Sequence, residues 1–145
     1  MPLRDFYVAD GTHNTVLRSD ELLLRIRVPI NPRRREGFAK LRHRRSIDFP
    51  LLSVGLAFVV DDKRHVVDGM LAVNALAARP KQISLAAIGN GTLDADFVAA
   101  AADLAHHRCS PLTNLGDDPS WRKDMIAVLV SRAFAMTETD PAART

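Results

Sequence analysis

Residues 52–64 read Leu-Ser-Val-Gly-Leu-Ala-Phe-Val-Val-Asp-Asp-Lys-Arg, and this stretch decides the fold. Leu52, Val54, Leu56, Phe58 and Val60 alternate with Ser53, Gly55 and Ala57, a period of two that belongs to a β-strand with one large apolar face and one small one. Residues 61–64 then gather charge into a hairpin turn. Residues 66–77 return antiparallel, with Val67, Leu71, Val73 and Ala75 expected to face inward. The small face of Ser53, Gly55 and Ala57 is expected to receive a helix by close packing.

Upstream, residues 21–28 place Leu22, Leu24, Ile26 and Val28 opposite Leu23, Arg25 and Arg27, the pattern of another strand that Pro29 and Pro32 would end. Residues 37–45 alternate Phe38, Lys40, Arg42 and Arg44 with Ala39, Leu41, His43 and Arg45, which makes a further strand with cations on one face. Residues 1–20 have no sustained period. Downstream the period changes to that of helices. Residues 81–88 suggest a short one. Thr92 can cap a second, with Asp94 and Asp96 in its first turn and His106, His107 and Arg108 in its last, as the helix dipole favours. Asp118 and Pro119 open a third, with Trp121, Met125, Val128 and Leu129 on a stripe running to Ala133 and Met136. Strands followed by helices imply an α+β domain: an antiparallel meander of three to four strands covered on one face by two to three helices.

The chain has 145 residues, enough for one core. Its longest apolar run, from Phe49 to Val60, is broken by Pro50, Ser53 and Gly55 and is too short to span a bilayer. No secretory signal pattern opens it, and one cysteine, Cys109, cannot form an internal disulfide, so a cytoplasmic location is expected. The net charge of +3 is unevenly spread. Residues 33–45 hold seven Lys or Arg against Glu36 alone, leaving the remainder slightly acidic, which points to a local anionic partner. Nucleic acid, a phosphorylated cofactor and an acidic subunit are all candidates on charge. Aromatic groups for base stacking are few there, with Phe38 and Phe49 the nearest.

No phosphate-binding glycine loop, nucleophile elbow or paired cysteine motif is present. His106, His107 and Cys109 lack a fourth ligand and point apart on a helix, so no metal site is expected. Asp118 and Asp117 are explained by the helix start, and Asp124 alone does not make an acid/base pair. No catalytic residue is assigned. Two rival readings are a basic nucleic-acid- or protein-binding module, which salt would weaken steeply, and a small pocket-bearing enzyme.

The run GFAKLRHRRSIDFPLLSVGLAF at residues 37–58 resembles F-x-K-x-x-x-R-x-x-x-D-x-P-x-x-x-V in the C-terminal domain of the FAD-binding medium subunit of molybdenum hydroxylases. This is the family of xanthine dehydrogenase and aerobic CO dehydrogenase. Residues 3–29 are similar to its lead-in E-L-L-x-x-I-x-x-P. Residues 70–83 are similar to R-I-A-L-G-G-V-A-P-R-P-x-R-A, and residues 111–134 to P-x-D-D-x-x-x-S-x-x-Y-R-R-x-x-x-x-V-L-x-x-R-A-L. The last region, with Trp121, looks most like the β subunit of 4-hydroxybenzoyl-CoA reductase. Asn74 and Ala75 stand where the family has two glycines, Asn114 where it often has aspartate, and Gly116 where it often has arginine.

The resemblance implies a domain comprising residues 1–145, with the two FAD-binding subdomains that precede it in the family absent. It implies FAD in the intact subunit and none in the isolated chain. The partners it implies are those subdomains, an iron-sulfur subunit and a molybdenum cofactor subunit, with neither nucleic acid nor membrane. Lys40 corresponds to the lysine that reaches the isoalloxazine ring, and Leu23 to a leucine lining the FAD site. A cation beside the flavin N1 and C2 carbonyl stabilises the anionic reduced ring, which is a physical reason for lysine there.

Overall fold

The computed structural model describes residues 1–44, 46–89, 91–113 and 118–138. Arg45, Asp117, Asn114, Gly116 and the Gly89-Asn90-Gly91 turn at Asn90 therefore lie wholly or partly outside the described residues. After a short 3-10 turn, Leu3–Asp5, come strands β1 (Arg34–Leu41), β2 (Leu52–Val60), β3 (Val66–Asn74) and β4 (Lys81–Ser84). A second 3-10 turn, Leu85–Ile88, leads to helices α1 (Ala95–Arg108) and α2 (Pro119–Glu138). The sheet order is β1-β2-β3-β4, antiparallel throughout. This is the expected α+β meander, with its two α-helices on one face.

The helices cover the large face of β2 and leave the small face open, the reverse of the sequence expectation. Leu52, Val54, Leu56 and Phe58 are all buried, with Leu71, Val73 and Ile83 from the neighbouring strands. Against them pack Phe97, Ala101 and Ala105 of α1 and Ile126, Leu129, Val130, Ala133 and Phe134 of α2. Phe134 joins the layers, its ring centroid 5.5 Å from Phe58 and 6.3 Å from Phe97. Burial of large side chains yields more than burial of Ser, Gly and Ala, so the helices take the face that removes more apolar area from water.

The same preference rotates α2. Its buried stripe is Arg122, Ile126, Leu129, Val130 and Ala133, whereas Trp121, Val128 and Met136 are exposed. Moving one residue along a helix turns the stripe by about 100°. The sequence reading began the stripe at Trp121 and did not single out Arg122. Trp121 is 43% exposed, so Trp121→Ala is expected to cost less than about 1 kcal/mol in chemical denaturation. A loss of several kcal/mol would contradict this placement.

Other expectations shift for local reasons. Residues 21–28 form no strand: they lie outside the sheet, and among the described residues no backbone group of 22–28 makes a hydrogen bond. Their period of two reports amphipathy but supplies no neighbour. β1 runs three residues earlier than expected and ends at Leu41, opposite Leu52, where Leu51 N–H donates to Leu41 O. Two residues further the neighbouring strand's chain reaches Pro50, which has no N–H. Val67 is exposed because the register slips between Val59 and Val60, so Val66 turns inward in its place. Residues 81–84 pair along β3 as an edge strand, and Ser84 Oγ then caps the 3-10 turn by accepting from Ala86 N–H at 3.3 Å. Asp94, not Thr92, caps α1, accepting from Phe97 N–H at 2.9 Å. Asp118 caps α2 as expected, its carboxylate accepting from the Ser120 amide at 2.9 Å and hydroxyl at 2.7 Å, which lowers its pKa.

Candidate functional site

Strand register lays out the open face row by row. Lys40, Ser53 and Asn74 form one row, Phe38, Gly55, Ala72 and Gln82 the next, and Glu36, Ala57, Met70 and Ser84 a third. The small residues make a floor, and Phe38 and Met70 stand exposed as walls. Between them lies a groove of about 470 Å³. A Cβ added to Gly55 would meet nothing within 4 Å, so no part of this chain requires a glycine there. A glycine in the middle of a central strand weakens it, and a close approach by another group is one physical reason for it.

The cations divide between the two ends of β1, with Arg33, Arg34 and Arg35 at its start and Lys40, Arg42 and Arg44 at or beyond its end. Lys40 Nζ donates to Asp48 O at 2.8 Å, which leaves two of its three donors for an outside acceptor. Arg42 Nη1 reaches Ser46 O at 3.5 Å. The Arg44 backbone N–H donates to Asp48 Oδ2 at 3.2 Å, and its side chain lies 3.7 Å from the same oxygen, so Asp48 partly neutralises the cluster. Arg33 faces Asp62 at 3.5 Å. Arg42 and Arg44 belong to the β1–β2 loop and not to the strand.

That loop is anchored from behind by Arg122, which is fully buried. Its Nε and Nη2 donate to Leu51 O at 3.3 and 3.1 Å, Nη2 also to Ala75 O at 2.7 Å, and Nη1 to Leu112 O at 3.1 Å. Three segments distant in sequence are thus held by one guanidinium, whose planar fork suits several carbonyls at once. Ala75 adopts φ +65°, the left-handed region that favours glycine, at the second of the two positions where the resembling family has glycines. Sequence reasoning missed Arg122, because a lone arginine in a helix ordinarily reads as a solvated group.

Leu23 is placed elsewhere. It is half exposed in the segment before β1 and lines a hollow of about 550 Å³ with Leu3, Phe6 and Leu17, sharing no lining residue with the groove beside Phe38. The structure does not bring Leu23 and Lys40 together. His106 and Asp124 approach to 3.3 Å, linking the end of α1 to α2, and among the described residues no three His, Cys, Asp or Glu side chains gather as a metal site. Burial raises the Cys109 pKa, as desolvation of a thiolate does.

A flavin dinucleotide needs both a ring site and a phosphate site. The open face offers the first in the free donors of Lys40. For the second, phosphates would take helix N-terminal amides, but Asp94 and Asp118 cap the two α-helices with their own carboxylates. The described residues therefore suit one edge of a flavin ring and not its pyrophosphate.

The family model of the CO dehydrogenase flavoprotein C-terminal domain matches residues 38–137. Among solved structures, carbon monoxide dehydrogenase from Hydrogenophaga pseudoflava is 23% identical with a TM-score of 0.76. Quinoline 2-oxidoreductase from Pseudomonas putida 86 is 21% identical with a TM-score of 0.76, and reconstituted CO dehydrogenase from Oligotropha carboxidovorans is 23% identical with a TM-score of 0.72. Each alignment covers 92% of this chain and 46% of the other, so the chain spans about half the length of the chains it matches. No curated protein sequence matches it.

Proposed function

Because the chain belongs to the CO dehydrogenase flavoprotein C-terminal domain family, we propose that residues 1–145 serve as that domain in the FAD subunit of a molybdenum hydroxylase-type oxidoreductase. The 4-hydroxybenzoyl-CoA reductase branch is the reading its sequence favours. In this role the domain packs against FAD-binding subdomains and supports electron transfer between flavin and the iron-sulfur centres of a neighbouring subunit, while a molybdenum subunit acts on the substrate. The setting proposed is cytoplasmic, and no helix among the described residues is long and apolar enough to cross a membrane.

The observation that carries the reading is Lys40. It projects from the open face, away from the helices, and its ammonium is steadied by Asp48 O at 2.8 Å with two donors free. When bound, the flavin supplies two-electron redox chemistry. Lys40 would hold the ring edge by hydrogen bonds to its carbonyl, and its charge favours the reduced anion. Leu23 would add apolar contact only if the segment before β1 is drawn toward that face by a partner. The chain itself contributes no acid, base or nucleophile. A nucleic-acid role is disfavoured because Arg42 and Arg44 leave the strand for the β1–β2 loop, where Arg44 faces Asp48, and do not continue a row of cations along a groove.

The isolated chain, purified and passed through gel filtration, is expected to emerge colourless. One lysine at a ring edge does not offset the entropy of association without a phosphate cradle. Stoichiometric flavin absorbance co-eluting with it would overturn the division between ring contact and phosphate site.

A further inference from the structure

Away from the open face, a second hollow gathers positive charge. It encloses about 430 Å³ where the β3–β4 connection meets the end of α1. Arg79, Lys81, Arg108 and Ser110 line it, and none of these side chains has a hydrogen-bond or ion-pair partner among the described residues. Among those residues no acidic side chain lines it either. Ala9 reaches it from the lead-in, but the carboxylate of the adjacent Asp10 is engaged in its own turn, accepting from the Thr12 N–H and hydroxyl, both at 2.8 Å. Cys109 is the buried member of the lining, and burial raises its pKa against the opposing pull of Lys81 and Lys123. The thiol therefore stays neutral and adds no negative charge.

We propose that this hollow binds a small phosphate-bearing molecule, with Arg79, Lys81 and Arg108 on the phosphate oxygens. Three cations around one concavity repel one another, and an anion seated between them relieves that repulsion. A single carboxylate would leave two of the three charges unmet, whereas a diphosphate carries enough charge for all. The two guanidinium groups offer paired donors that match phosphate oxygens. Leu76, Ala78 and Pro80 give the remainder of the molecule an apolar wall, and the volume is that of a small-molecule pocket. The carbonyl end of α1 at Arg108 opposes an anion with only about half a charge, which three full cations outweigh. Lys81 shares its side of β4 with the buried Ile83, so the hollow belongs to the helix-covered side of the sheet, about three strand spacings or 14 Å across from Lys40 on the open side. It is not the phosphate end of a flavin held at Lys40, and the inference does not rest on the flavin reading.

The test is isothermal titration calorimetry of the full 145-residue chain at about 0.05 M salt, with inorganic pyrophosphate and ADP as probes. One-to-one saturation is expected, with a Kd between about 10 μM and 1 mM. Saturation by pyrophosphate assigns the free anion, and saturation by ADP alone a nucleotide-borne one; both support the site. Arg79, Lys81 and Arg108 are exposed, so Arg79→Gln, Lys81→Gln and Arg108→Gln should leave the melting temperature unchanged. Each should weaken binding at least about tenfold, the loss of one charge-assisted hydrogen bond. Lys63→Gln removes an equally exposed cation from the β2–β3 turn and should leave the affinity as it was. Absence of saturation by either probe, indifference to all three pocket variants, or an equal loss in Lys63→Gln would each overturn the proposal.

Discussion

Replacing Arg122 by methionine is expected to destabilise the chain by about 3 to 5 kcal/mol, the largest loss of any single polar substitution here. Methionine preserves much of the volume, so the loss isolates the guanidinium. Its removal leaves Leu51 O, Ala75 O and Leu112 O with unmet acceptors in or near the interior. Each buried carbonyl left without a donor costs about 1 to 3 kcal/mol. For a chain of this size the melting temperature should fall by on the order of 10 °C. Leu51 closes the β1–β2 loop through its N–H to Leu41 O, so amide exchange in residues 41–51 should rise as well. Denaturant titration with exchange mass spectrometry reads both. A variant within 1 kcal/mol of the parent would mean that water or a backbone shift satisfies those carbonyls without the arginine.

A comparable loss is expected from a single added methyl group. Gly37 of β1 faces α2, and a Cβ there would run into Ala133 O, with Thr137 Cγ2 at 3.0 Å. The first obstacle is backbone, so no rotamer change relieves the clash. Either the helix or the edge strand must move, and α2 also carries Leu129, Val130 and Phe134 into the core. Gly37→Ala should therefore cost about 3 kcal/mol, at the upper end of overpacking effects. Gly55→Ala, whose Cβ meets nothing, should be neutral or slightly stabilising. Equal behaviour of the two variants in thermal melts would contradict the assignment of one glycine to a helix seat and the other to an open face.

These two positions also mark how far the sequence could be read. The alternation of Leu52 to Val60 specified β2 because one of its faces is a continuous apolar surface that only burial explains. The face chosen by the helices was not legible, since Ser53, Gly55 and Ala57 suit close packing in principle, and only the competing area of the large face decides against them. Residues 21–28 carry as clear a period of two as β1, yet β1 has β2 beside it and they have no strand. Pattern specifies which side of a strand is apolar but not its pairing, and residues 22–28 pair with neither open edge of the sheet, β1 or β4. In α2, one buried arginine rotated the stripe, and its partners come from three loops that no local period connects. Lys40 was reached through resemblance, and the structure adds its place on the open face and its Asp48 anchor. The separation of Leu23 from that face had no signal in the sequence.

The most direct test of the central claim, that this domain presents Lys40 to a flavin ring, is the flavin's two-electron reduction potential in an FAD subunit containing this domain, with Lys40 intact and with Lys40→Met. Lys40 is solvent-exposed, so the substitution spares the fold. Loss of a cation that favours the reduced anion should lower the potential by about 30 mV, equivalent to about 1.4 kcal/mol for two electrons. A potential unchanged by the substitution would contradict the claim and place Lys40 away from the flavin.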